Sequence, residues 1–133
     1  MSTAPDAGSP RPLLLIVDDD PGQRSLLESL LRGHGFETVV VSSGEQALQA
    51  LRRGGFSMMI SDVRMPGLTG LETLRLARQE HPHLPVLLVT AYADIREAVG
   101  AMRDGALNYL SKPIDFDELL ASVRQATGMA RVT

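Results

Sequence analysis

Five short apolar runs, each separated from the next by an amphipathic stretch, constrain this chain more than anything else in it. They are Leu13 to Val17, Thr38 to Val41, Met58 onward to Ser61-Asp62, Val86 to Val89, and Ala106 to Leu110. Runs of this length, bounded by glycine, proline or acidic residues, read as strands. Nearly all are unbroken rather than alternating, so both faces of their sheet must be covered. The stretches between them repeat apolar residues every three or four positions, as helices with one buried face do. The third run governs the rest. Asp62 closes it just before a turn at Pro66-Gly67, at the carboxyl end of a buried strand, where open parallel sheets bind ligands.

Alternating strands and helices predict an α/β fold: a doubly wound, five-stranded parallel sheet with helices on both faces. Periodicity does not supply the strand order, but the flavodoxin-like order 2-1-3-4-5 is the common choice for five such units. The helix starts are written in caps. Asp20-Pro21 offers an N-cap carboxylate and a proline at the first helical position, ahead of Leu26, Leu27, Leu30 and Leu31, with Gly33 and Gly35 as the stop. Ser43-Gly44-Glu45-Gln46 reads as a capping box before Ala47, Leu48 and Leu51, and Thr69-x-x-Glu72 as another before Leu71, Leu74 and Ala77. Asp94-x-x-Glu97 opens a fourth helix with Ile95, Val99 and Met102 expected inward. Asp115-x-x-Glu118 opens a fifth with Leu119, Val123 and Ala126 buried.

The 133 residues suit one domain, expected over 13–127. Residues 1–12, with three prolines and no apolar core, read as a disordered tail, and 128–133 as a helix end entering a linker. With no cysteine there is no disulfide framework or thiolate metal site. No run approaches the ~20 apolar residues of a membrane helix. A net charge of −3 and few aromatics speak against direct nucleic-acid binding. A soluble, cytoplasmic domain is expected.

What the strands deliver at their carboxyl ends is harder to assign to packing. The first gives Asp18 and Asp19, the third Asp62, the fourth Thr90, and the fifth leads to Lys112-Pro113. Asp20 is explained as a helix cap. Two carboxylates ~4 Å apart repel by ~4 kcal/mol at an effective dielectric of ~20. That is about three pKa units on a reference of ~3.9, so a third carboxylate stays ionised only beside a counter-charge. Lys112 supplies one positive charge and a divalent cation the remainder. The donors are hard oxygens, which favours Mg²⁺, with Mn²⁺ in its place, over Zn²⁺. A cation that keeps open positions beside a carboxylate points to phosphoryl transfer.

Val17-Asp18-Asp19-Asp20, Asp62-x-x-Met65-Pro66-Gly67-x-x-Gly70, Thr90-Ala91 and Tyr109-x-x-Lys112-Pro113 together resemble the receiver domains of two-component response regulators. The likeness covers about Leu13 to Ala126. Thr90 to Asp94 and Gly105 to Pro113 most resemble receivers of NtrC-type, sigma-54-dependent regulators. The resemblance implies that Asp62 is the phosphoacceptor for a sensor histidine kinase. It implies that Asp19, Asp62 and the main-chain carbonyl of Arg64 hold Mg²⁺, with Asp18 helping through water. Lys112 would pair with a phosphoryl oxygen, Thr90 and Tyr109 would act as the switch, and Pro113 would follow a cis bond. It further implies control of an output domain or downstream protein in transcription, and a homodimer through the surface of the fourth helix, fifth strand and fifth helix. Such a domain is not a turnover enzyme.

Two other readings use the same residues. An aspartate-nucleophile phosphatase of the haloacid dehalogenase type needs a second Asp two positions after the first, where this chain has Arg64. A receiver-fold interaction module without phosphorylation is compatible with the fold but leaves the intact acidic set unexplained. A dinucleotide site is excluded by the lack of any G-x-G-x-x-G after the first strand.

Overall fold

A computed structural model describes residues 11–128, and the expectations for residues 1–10 and 129–133 fall outside it. Strands and helices alternate throughout: β1 (Leu13–Val17), α1 (Pro21–Gly33), β2 (Glu37–Val41), α2 (Gly44–Arg52), β3 (Met58–Asp62), α3 (Gly70–Glu80), β4 (Val86–Thr90), α4 (Ile95–Arg103), β5 (Asn108–Ser111) and α5 (Phe116–Thr127). All neighbours pair parallel in the order β2-β1-β3-β4-β5. The doubly wound sheet expected from the apolar runs is the one observed. Its register sets Val17 beside Ser61, Asp62 beside Val89, and Thr90 beside Ser111, so the ends of four strands lie along one rim.

The unbroken runs follow from two cores. Leu14, Ile16, Met58 and Ile60 pack on one face with Leu27 and Leu31 of α1 and Leu119 and Val123 of α5. Leu15, Val17 and Met59 pack on the other with Ala47, Leu51, Leu74 and Ala77 of α2 and α3. Each large side chain fully buried this way contributes about 1.5–3 kcal/mol. The two edge strands are the exceptions: Glu37 and Val39 of β2 face water, and on β5 only Leu110 is buried.

Caps fix where most helices begin. Asp20 accepts the Gly22 N–H (3.0 Å), and Asp115 accepts from Asp117 and Glu118. Thr69 and Glu72 close a full capping box. The box expected at α2 forms only by half. Ser43 accepts the Gln46 N–H, but Gln46 Oε1 takes the N–H and hydroxyl of Ser42 instead of the Ser43 N–H.

Three expectations need correction. Ile95, Val99 and Met102 face outward, at 83%, 47% and 48% exposure, and Ala101 is the one fully buried side chain of α4. The two stripes of this short helix have the same period; the small one lies on the sheet, and periodicity cannot choose between them. The last strand starts at Asn108, not Ala106, because the Ala106 N–H closes the end of α4 on the Ala101 carbonyl. Ala126 is only half-buried, while Leu120 and Ser122 are buried on α5.

Gly70 deserves its place at the start of α3. Its N–H donates to the Val63 carbonyl (2.8 Å), and a Cβ there would collide with the Asp62 carbonyl oxygen and lie 2.8 Å from Val63 Cα. The helix is thereby seated directly on the strand end that carries Asp62.

Candidate functional site

Two strands that part company in the topology bring the acids together. β1 and β3 are neighbours, yet the chain leaves one for β2 and the other for β4 on opposite sides, which opens a crevice at their carboxyl ends. Asp18 and Asp62 lie there, buried, with Asp19 exposed beside them. One oxygen from each of the three lies within 4.8 Å of the others. Lys112 reaches in from the end of β5, its Nζ 3.3 Å from Asp18 Oδ2 and 3.5 Å from Asp62 Oδ2. The Lys112–Pro113 peptide bond is cis.

The two buried carboxylates are not equivalent. Asp18 is committed on both oxygens: Oδ1 accepts the Asp20 N–H (2.9 Å) and Oδ2 faces Lys112. The Arg24 guanidinium ties down its carbonyl at 2.7 Å. Asp62 has Lys112 on one side and only a long approach from the Arg64 N–H, 3.4 Å, on the other. Burial, and then the charge of Asp18, push the Asp62 carboxyl above the ordinary carboxylate range; Lys112 and the Arg64 N–H pull it partly back. Three acids against one ammonium leave negative charge in excess. Hard oxygens so placed, with no histidine or cysteine among them, fit a hard divalent cation.

The side chains of the other residues singled out in the sequence make no hydrogen bond or ion pair with the acids. Thr90 is fully buried, and its hydroxyl accepts the Tyr92 N–H at 3.1 Å. Tyr109 does not join the acids. Its hydroxyl donates to Glu97 Oε1 and accepts the Asp94 N–H, on the first turn of α4. Burial first, and then Glu97, push that phenol up to about 12. The Arg64 side chain is turned toward Glu97 and stacks 5.8 Å from the centre of the Tyr92 ring. Glu97 and Arg24 were not among the residues singled out as functional. Their contacts join residues that are not neighbours in the chain, and nothing in the local sequence signals them.

Comparison with known proteins decides the family. The family model described as the response regulator receiver domain matches residues 14–124. The chain belongs to this family.

Its relatives include the transcriptional regulatory protein ZraR of Escherichia coli K12, 42% identical over 113 residues. That match covers 85% of this chain and 26% of ZraR. The DNA-binding transcriptional regulator NtrC of Klebsiella pneumoniae is 43% identical over 116 residues, 87% of this chain and 25% of its own length. The receiver domain thus spans about a quarter of these curated relatives. Among solved structures, a response regulator receiver protein from Pseudomonas putida superposes with a TM-score of 0.84 at 34% identity, covering 88% of this chain and 98% of the other. The Thermotoga maritima response regulator TrrA, solved in complex with Mg²⁺–BeF, gives a TM-score of 0.79 at 33% identity, covering 86% and 98%. No helix among the described residues is long and apolar enough to cross a membrane.

Proposed function

We propose that this receiver domain is switched by phosphorylation of Asp62, the phosphoryl group coming from a phosphohistidine of a sensor histidine kinase. One observation carries the reading: Asp62 is the buried carboxylate with oxygens to spare, set against Asp18, Asp19 and Lys112. An Asp62 oxygen attacks phosphorus in line, the P–N bond breaks, and its electron pair returns to the imidazole. Little covalent chemistry falls to the protein, so positioning and charge neutralisation do the catalysis. Lys112 stands where it can pair with a transferred oxygen. Asp19, Asp62 and the Arg64 carbonyl would hold Mg²⁺ (or Mn²⁺), with Asp18 assisting directly or through water, and the bound cation would supply charge neutralisation at the phosphoryl oxygens. The acidic cluster and the Mg²⁺–BeF complex of TrrA support that assignment.

In the switched state Thr90 leaves the Tyr92 N–H for the phosphoryl group, and Tyr109 moves into the space it vacates. The surface of α4, β5 and α5 is repacked. Ile95, Val99, Met102 and Phe116 give that surface its exposed apolar side chains, suited to an output domain, a downstream protein or a second copy of the chain. The names of ZraR and NtrC support transcription as the output. The domain accepts a phosphoryl group without being a turnover enzyme.

Acetyl phosphate with Mg²⁺ tests the reading. A single, stable, hydroxylamine-labile adduct is expected. Continuous phosphate release indicates a phosphatase, and no adduct indicates an interaction module that has lost phosphorylation. The Arg64–Tyr92 stack gives a second expectation, that these two bulky side chains slow access of water to phosphorylated Asp62. Arg64→Ala and Tyr92→Ala should each shorten the lifetime of the adduct several-fold, followed as loss of label with time. Unchanged lifetimes in both would remove the shield.

A further inference from the structure

A line of polar contacts that the acceptor chemistry does not use runs from the acidic cluster to α4 and β5. Glu97 sits on the first turn of α4, its side chain 14% exposed, with both oxygens engaged. Oε1 accepts the Tyr109 hydroxyl at 2.5 Å, and Oε2 lies 3.6 Å from Arg64 Nη2. The tyrosine oxygen accepts the N–H of Asp94, the cap of the same helix. Arg64 stands two residues beyond Asp62, its N–H 3.4 Å from Asp62 Oδ1. One carboxylate therefore joins the loop after the acceptor, the start of α4 and the strand that carries Tyr109.

Its two bonds differ in kind. The phenol bond is short, half-buried and made to a charged acceptor, the strong class of hydrogen bond. The Arg64 pair is long and its guanidinium is 53% exposed, the weak class of ion pair. A phosphoryl group brings nearly two negative charges and three acceptor oxygens, and guanidinium binds such oxygens through paired donors. Among the described residues Arg64 is the only cation within ion-pair distance of Glu97. A carboxylate only 14% exposed that loses its nearby cation keeps its desolvation cost with less to offset it, which biases Glu97 toward water.

We propose that Glu97 is a positioning residue that holds Tyr109 and Arg64 in the arrangement of the unphosphorylated domain, and that a phosphoryl group on Asp62 competes with it for Arg64. As Glu97 turns outward, the Tyr109 hydroxyl loses its acceptor and the ring is free to move. The inference rests on Asp62 being the acceptor.

Carbon-13 labelling of tyrosine reads it out. The chain has two tyrosines, and Tyr92→Phe keeps a ring beneath Arg64 while leaving Tyr109 as the only labelled residue. In that background the Tyr109 signal should move when acetyl phosphate and Mg²⁺ are added. In Glu97→Ala it should move without phosphate, the equilibrium between the two positions shifting about tenfold, as loss of a hydrogen bond to a charged group gives. Glu97→Gln retains an acceptor for the phenol but no charge for Arg64, and should fall between. Both variants holding the unphosphorylated position would overturn the proposal, and Glu97→Gln decides it if Glu97→Ala does not fold. Mass spectrometry of the same samples counts the label on Asp62. A parent chain that takes none overturns the acceptor reading and the competition with it, while a shift in unphosphorylated Glu97→Ala still reports the hold on Tyr109.

Discussion

Asp62→Asn is expected to lose all phosphoryl labelling and, in buffer with chelator, to melt above the parent chain at neutral pH. The first effect follows because a carboxamide oxygen is no nucleophile at phosphorus. The second follows from charge. Folding buries the Asp62 carboxylate beside Asp18, and its pKa rises from an ordinary value of 3.8. A carboxyl whose folded pKa lies above its unfolded pKa opposes folding while ionised. That penalty is present in full above the folded pKa, shrinks as pH falls toward the unfolded value, and is gone below both. The gap between Asp62→Asn and parent should therefore be widest at neutral pH and close near pH 4, measured by thermal melts across that range. Saturating Mg²⁺ should reverse the order. A ligand at ~100 times its Kd stabilises the folded state by about 2.7 kcal/mol, and Asp62→Asn removes one of the carboxylates proposed to bind it. A variant that melts like the parent at every pH would mean that the crowded charge is already relieved by the protein alone.

Gly70→Ala is expected to be the most damaging glycine-to-alanine change among the described residues. The new Cβ meets backbone, the Asp62 carbonyl and Val63 Cα, rather than a side chain that can swing aside. Overpacking a well-filled site costs about 1–3 kcal/mol, and a backbone obstacle places this change at or beyond the top of that range. In a domain of this size that lowers Tm by on the order of 10 °C. α3 must lift or the end of β3 must shift, so the rate of phosphoryl labelling should fall as well. Gly33→Ala is the control: it also sits on a helix, with nothing within 4 Å of its Cβ, and should leave Tm and labelling close to the parent. Equal behaviour of the two variants would show that α3 is not seated on the strand end as described.

What could be read from the residues was what local chemistry determines. Strand runs, helix caps at Asp20, Thr69 and Asp115, and the acids at the ends of β1 and β3 all carry short-range signals, and the structure gathers those acids as their positions at strand ends require. The face of α4 was misread because Ile95, Val99 and Met102 repeat with the same period as the small residues that contact the sheet. Gln46 defeated the capping-box reading at α2 by reaching one residue further back, to Ser42, a difference of geometry that the motif does not encode. Glu97 was invisible as a functional residue for another reason. A glutamate in the first turn of a helix is explained by the helix itself, and its partners come from elsewhere, Arg64 from the loop after β3 and Tyr109 from β5. Sequence spacing identifies groups that share an element, and strand ends identify groups that share a rim; side chains that meet elsewhere across elements become legible only once the register is known.

Isothermal titration of the metal-free chain with Mg²⁺ tests the central claim most directly, because everything proposed for Asp62 depends on a cation relieving the charge around it. The expected result is one binding event per chain, lost in Asp19→Asn and in Asp62→Asn, whose circular dichroism matches the parent. A folded parent chain that binds no Mg²⁺, or that binds it equally well without either carboxylate, would contradict the account.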